Sequence, residues 1–479
     1  MSGGNGVSRA RVVSTYYDTP DHALARRGST LRVRREGRSF VQTVKSEGEI
    51  GELARGEWED AVAGERPDPQ AAQTGPFLPA EIVAQLRPLF RTEVMRTTIP
   101  LAPGPATRIE AAIDRGRISN GANTPPARIS EVELELKSGA TSALYDVALQ
   151  LLLVAPLRLE PHSKAERGYR LAEHESGPRK AVHAPPIDLR SGLSGEVTLQ
   201  RIGRSCLDHM LRNEDAALAG DPEGIHQMRV AVRRLRAILS AFAPLLPRQN
   251  RRWASRELRW FADILGETRN LDVFAASLLR PAREALPESR EFDRLAKAVE
   301  RRRRASHKTV AKAILSPRYT EGMLALLRWF DGREWRSGGD AAALAQPIAE
   351  LAPRLLERCR RKAEKRGRGF AKQSAKDRHR LRIALKKLRY ATELLSSLYA
   401  PEETRRFVQR LKRLQDDLGE INDVRTGHEI VDSLVPPGDR SGIGRAGRRV
   451  LDWHRRRLRR NEPRLRQHLD ELIAADRFW

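Results

Sequence analysis

The chain has 479 residues, 40% of them hydrophobic, and sets 88 Lys and Arg against 62 Asp and Glu, a formal net charge of +26. That length predicts two to four domains at roughly 100–200 residues each, with enough apolar residues for true cores, which excludes a disordered polycation. No stretch of about 18 apolar residues is present to span a membrane, and no apolar segment near Met1 suits a signal peptide; two cysteines, Cys206 and Cys359, exclude a disulfide framework and a Cys-rich zinc site. The expected compartment is the cytoplasm.

The first half reads as strands. In residues 29–35, Thr30, Arg32 and Arg34 alternate with Leu31 and Val33. In residues 39–45, Val41, Thr43 and Lys45 share a face. In residues 108–114, Arg108, Glu110 and Asp114 oppose Ile109, Ala111 and Ile113. In residues 129–137, Glu131, Glu133, Glu135 and Lys137 oppose Val132, Leu134 and Leu136. Each has the period of two of a strand with one buried face. Helices are predicted at 79–90 and 141–153. The class expected is α+β with an antiparallel sheet. Residues 1–175 form this domain, and the aperiodic Pro/Gly-containing stretch 176–193 is predicted to be a linker.

Residues 194–479 read as helix throughout, as in the apolar series Ile225, Met228, Val232, Leu235 and Leu239. The charge is concentrated here. Residues 1–193 carry 26 basic and 24 acidic side chains, residues 194–479 carry 62 and 38. Arg outnumbers Lys 74 to 14, a bias that genome composition explains, but composition does not confine an excess of cations to one half. The two halves are therefore expected to face different partners, or one to face a polyanion that the other does not.

This half also repeats itself. IHQMRVAVRRLR from Ile225 and RHRLRIALKKLR from Arg378 align with His226 on His379, an offset of 153. At that offset Arg229 meets Arg382, Arg233 meets Lys386, and Arg236 meets Arg389. LGETRN from Leu265 meets LGEIND from Leu418, and Cys206 meets Cys359. Two similar helical halves are predicted. His226, Arg229, Arg233 and Arg236 fall on one stripe of a helix, as do His379, Arg382, Lys386 and Arg389. Like charges so placed repel, and a multiply charged anion would reverse the sign. Arg grips phosphate oxygens in pairs and Lys as a point charge. The bland alternative is a solvated charged face with packing histidines. The Leu-Gly-Glu segments are expected at a helix terminus or tight turn. Glu267, Asp272, Glu420 and Asp423 are candidates for orienting the cations.

These paired motifs resemble the CHAD domain, the conserved-histidine α-helical domain, over about 194–479. The resemblance implies an all-α bundle with internal pseudo-two-fold symmetry that binds inorganic polyphosphate in a basic channel. By motif, the contacts would be His226, Arg229, Arg233, Arg236, His379, Arg382, Lys386 and Arg389.

In the strand half, YYDTPDHALARRGSTLRVRR, FVQTVK, RGEWE, RIEAAIDRG, SEVELELKSG and SKAERGYRL occur in order over 16–171 and resemble the CYTH domain, or triphosphate tunnel metalloenzyme fold. That implies an antiparallel β-barrel tunnel holding a linear triphosphate between basic residues and one or two divalent ions, Mg²⁺ or Mn²⁺. Inorganic triphosphatase is the activity most often found beside a CHAD partner. By motif, Arg32, Arg34, Lys45, Arg96, Lys137, Lys164 and Arg167 would hold phosphates. Glu131 and Glu133 would hold metal, with Glu135 a possible further ligand. The family's first-strand Glu-x-Glu-x-Lys is missing from the residues before Tyr16. Either the start is assigned too late or the domain is degenerate. Three functions follow: a polyphosphate-binding protein whose triphosphate site hydrolyses weakly or not at all, an active metal-dependent inorganic triphosphatase, and a nucleic-acid binder. The last rests on charge alone, and at 5% aromatics with no recognition motif it is the least favoured.

Overall fold

In the computed structural model the described residues are 6–46, 56–121, 124–173, 175, 177–435, 437–439 and 441–479, the side chains of 375 and 459–462 excepted. They fall into two compact units, Met1–Pro178 and Arg179–Trp479.

The first unit runs β1 (Ser8–Asp18), α1 (Ala23–Arg26), β2 (Ser29–Glu36), β3 (Ser39–Ser46), β4 (Gly56–Val62), α2 (Ala80–Val83), β5 (Arg87–Gly104), β6 (Thr107–Ser119), β7 (Ala127–Ser138), α3 (Ser142–Leu152) and α4 (Lys164–Ala172). The strands form one antiparallel sheet in the order β4-β3-β2-β1-β5-β6-β7, with β4 and β7 at its edges. The helix predicted over 79–90 is a single turn, α2, and residues from Arg87 on are strand. Pro88 disfavours a helix interior, and β5 instead pairs along all of β1, from Ser8 with Thr98 to Asp18 with Arg87. Leu31, Val33 and Val44 pack with Leu24 and Ile82 of α1 and α2 on one face. On the other, Val12, Tyr16, Phe90 and Val94 pack against Ala165 and Tyr169 of α4. Gly168 permits that approach: a Cβ there would lie 2.0 Å from the Phe90 ring.

The second unit is helical: α5 (Gly195–Leu211), α6 (Glu214–Leu218), α7 (Pro222–Ala241), α8 (Arg248–Val273, continued by a π-helical turn), α9 (Arg280–Ala285), α10 (Arg290–Ile314), α11 (Pro317–Asp331), α12 (Ala341–Ala345), α13 (Ile348–Gly367), α14 (Ala375–Leu394), α15 (Pro401–Leu434) and α16 (Ile443–Ala474). The repeat is written in the backbone. Helices α5, α7, α8 and α10 start at 195, 222, 248 and 290, and α13, α14, α15 and α16 each start 153 residues later. The two stripe-bearing helices, α7 and α14, pack on one another. The stretch predicted as a linker has no helix or strand among its described residues up to Arg190. Its later part lies on the helical unit, with Ile187 and Leu189 buried and the Val182 carbonyl accepting from Asn213.

Candidate functional site

Register decides what the sheet can bind, because residues directly opposite in a ladder share a face. Ser14 pairs with Arg34 on one side and Thr92 on the other, and Tyr16 pairs with Arg32. Arg32 pairs with Thr43, Thr43 with Glu59, and Lys45 with Glu57. Toward the other edge, Ala10 pairs with Arg96, Arg96 with Asp114, Asp114 with Glu131, and Ala112 with Glu133. Arg32, Arg34, Lys45, Glu57, Glu59, Arg96, Asp114, Glu131 and Glu133 therefore line one face, the same face that α4 half covers.

On the β5–β7 side, α4 completes an acid–base cluster. Lys164 Nζ lies 2.8, 2.5 and 2.6 Å from carboxylate oxygens of Asp114, Glu131 and Glu133. Arg96 donates to Asp114 and Glu133, and Arg167 to Glu131. Ligand oxygens of Asp114, Glu131 and Glu133 all lie within 4.8 Å of one another. Burial opposes charge on Asp114, but Arg96 and Lys164 outweigh it and hold its carboxyl below the usual range. The same balance lowers Glu133, where Lys164 and Arg96 overcome burial. Burial would likewise neutralise Lys164, yet Glu133 and its partners raise its pKa. The anchor of α4 is the fully buried Asp18, which accepts from the amides of Thr19, Leu24 and Ala25 and from the Tyr169 hydroxyl.

The β2–β4 side forms a looser cluster: Lys45 lies 2.7 Å from Glu57, and Arg34 lies 3.7 Å from Glu59. Two of the sequence candidates lie outside both groups, with Glu135 bound to Lys137 at 2.6 Å. Asp114 was missed by sequence reasoning. Its position opposite Glu131 emerges only from the register, although both residues sit in charged, alternating segments.

In the helical unit the two stripes meet. Burial lowers the Arg229 pKa to about 9, with Arg233 and then Arg382 adding repulsion. Lys386 is pushed down to about 6 by burial, then by Arg233, Arg382, Arg229 and Arg389. Arg382 is lowered chiefly by burial, and it too feels Arg233. Burial also lowers His226, Arg236 and His379. The Nε atoms of Arg229, Arg382 and Arg389 and Nδ1 of His226 are buried without hydrogen-bond partners. Among the described residues none of Arg229, Arg233, Arg382 and Lys386 has an ion-pair partner within 4 Å, whereas Arg389 lies 3.8 Å from Glu393. This is a strip of desolvated positive charge drawn from two helices, and its charged state is costly until an anion arrives.

The Leu-Gly-Glu segments are not helix ends. Both lie inside helices, α8 and α15. Gly266 instead makes room for a stripe residue: a Cβ there would lie 2.7 Å from Arg229 Nη1, whose guanidinium also donates to the Ala262 carbonyl. The acids expected to orient the stripes divide. Glu267 bonds Arg302, and Asp272 bonds Arg303 and His307, all on α10. Asp423 faces Arg382 and Lys386; its carboxyl is raised by burial despite them. Arg269 and Arg425, outside the predicted set, add to the positive field at His226 and His379.

Comparison with known proteins follows the same division. The CYTH-domain family model matches residues 2–169, and the CHAD-domain model matches residues 201–432. An inorganic triphosphatase of Haemophilus influenzae is 36% identical over 166 residues, which are 34% of this chain and 46% of that protein, so the match spans about half of that relative. An uncharacterised protein of Mycobacterium tuberculosis is 24% identical over 414 residues, covering 79% of this chain and 74% of its own. The crystal structure of the CHAD domain from Ricinus communis superposes with a TM-score of 0.52 at 27% identity, covering 62% of this chain and 98% of that one. No helix among the described residues is long and apolar enough to cross a membrane.

Proposed function

For a chain that carries a CYTH domain followed by a CHAD domain, we propose that the helical unit binds inorganic polyphosphate along α7 and α14, and that the sheet face binds a linear triphosphate with a divalent metal. One observation carries the first part: Arg229, Arg233, Arg382 and Lys386 converge from two helices, and burial with mutual repulsion lowers the proton affinity of Arg229, Arg382 and Lys386. A fold gains nothing from such a strip by itself. A polyphosphate, charged at every unit and free of bases or sugars, converts that repulsion into charge-assisted hydrogen bonds. Titration calorimetry with the full chain tests it. Saturable, salt-sensitive binding is expected, and absence of binding at low salt would overturn it.

On the sheet face, Asp114, Glu131 and Glu133 offer the hard oxygen donors that Mg²⁺ or Mn²⁺ prefers. A bound ion would polarise a phosphoryl oxygen and acidify a water. Lys164, Arg96 and Arg167 would hold phosphate oxygens from the α4 side, and Arg32, Arg34 and Lys45 from β2 and β3. We expect hydrolysis by this chain to be weak. On this face β1 contributes Ala10, Val12, Ser14 and Tyr16 and no carboxylate, so the candidate metal ligands among the described residues come from β6 and β7 alone. The second reading, an active metal-dependent triphosphatase, is favoured by the Haemophilus influenzae relative. Phosphate release from triphosphate with Mg²⁺ or Mn²⁺ separates them: robust turnover abolished by Glu133→Gln selects the second.

A further inference from the structure

Helix α10 carries a row of charge that the α7–α14 strip does not use. Its inner face, including Phe292, Leu295, Val299, Val310 and Ile314, is buried. Its outer face presents Arg290, Arg294, Lys297, Arg301, Arg304, Lys308 and Lys312, all exposed. The intervals of three and four residues keep them on one line. At 1.5 Å per residue the row is about 33 Å long. Acids on this helix stop at Glu300; from Arg301 to Ile314 there is none. Glu300 engages Arg304, and Arg294 donates to the Ser441 carbonyl. Lys297, Arg301, Lys308 and Lys312 have no ion-pair partner among the described residues.

The row is not a by-product of the repeat or of arginine-rich composition. At the equivalent positions α16 has Ile443, Gly447, Val450, His454, Arg457, Asn461 and Leu465. Three of the seven cations in the row are lysines, in a chain with only 14. Nor does the row suit a base reader, since it contains no aromatic or amide side chain. A duplex spreads its phosphates over two strands about 12 Å apart across the major groove, and a single file of cations meets only one of them. A thin, unbranched polyanion fits the whole row.

We infer that the outer face of α10 is a second track for inorganic polyphosphate, one that engages the part of a long chain extending beyond the α7–α14 strip. This rests on the polyphosphate reading above. The test compares the full chain with a variant carrying Lys297→Gln, Arg301→Gln, Lys308→Gln and Lys312→Gln, residues outside both sites, where Gln keeps helix propensity. Binding of short polyphosphate, of about ten units, and of long chains, of about a hundred, is measured across a salt series. The long chain should lose about 10- to 100-fold in affinity at low salt, and its log–log salt slope should flatten by about 3, at roughly 0.7 per lost contact. The short chain should change less than about twofold. Equal losses for both lengths, or no loss for either, would overturn the track. So would a loss seen for duplex DNA and not for long polyphosphate, which would assign the row to nucleic acid. If the unaltered chain binds no polyphosphate of any length, the parent reading fails instead.

Discussion

Lys386 should report polyanion binding through its proton. Burial and four neighbouring arginines hold it at about 6, against about 10.4 for a free lysine. A phosphate chain laid beside it supplies the opposing charge and restores the cation. Between about 6 and that restored value, binding takes up one proton, and the association constant falls about tenfold per pH unit. From pH 6.5 to 8 that is about 1.5 decades, or about 2 kcal/mol. Calorimetry at pH 8 in buffers of differing ionisation enthalpy counts the protons directly. The full chain should take up close to one per bound polyphosphate strip, and Lys386→Met should take up far less. His226 and His379, both lowered by burial, contribute least at that pH. An affinity flat from pH 6.5 to 8, with no buffer dependence, would refute the picture of a desolvated cation strip.

Other perturbations follow from the same geometry. The unfolded chain protonates Lys386 between about 6 and 10.4 where the folded chain does not, so the ligand-free helical unit should gain stability as pH rises through that window, read as Tm. Asp114 and Glu133 act in the same direction in a more acidic window: their lowered folded values give stability present above the usual carboxylate range and lost as pH falls through the folded values. Asp114→Asn removes a fully buried charge that pairs with Arg96 and Lys164. It should cost the N-terminal unit about 3 kcal/mol and abolish any Tm increase given by Mn²⁺. Gly168→Ala should cost about 1–3 kcal/mol, because its methyl meets the Phe90 ring and pushes α4 off the sheet; an unchanged Tm would show that α4 is not docked by close approach.

Much of this was legible in the sequence, for physical reasons. The alternation of Leu31 and Val33 with Arg32 and Arg34 needs only the two-residue period of a strand. The 153-residue offset needs only comparison of the chain with itself, and four helix starts obey it. What stayed hidden depends on partners far along the chain. Residues from Arg87 are strand because β1 and β6 flank them, which no local window reveals. Asp114 joins Glu131 through register, and its burial cannot be read from the side chain's polarity. Gly266 reads as a turn signal, but its purpose is the space it leaves for Arg229, 37 positions earlier. Glu267 and Asp272 stand near the motif in sequence, yet they point to α10 because successive residues on a helix face different directions.

On the reading proposed above, the α7 and α14 cations form one polyphosphate site. Three double variants, each removing two basic side chains, test it with a short polyphosphate in a single calorimetric series: Arg229→Gln with Arg233→Gln, Arg382→Gln with Lys386→Gln, and Arg405→Gln with Arg406→Gln. The last pair is exposed, 62% and 73%, beside Glu402 at the start of α15. Each lost charge-assisted contact is worth on the order of 1.5–3 kcal/mol before screening. Either stripe pair should therefore weaken binding by about a hundredfold or more although the other remains, and the α15 pair by no more than about threefold. Equal losses in all three would mean that the ligand senses only overall charge, and that the convergence of the two stripes is not a site.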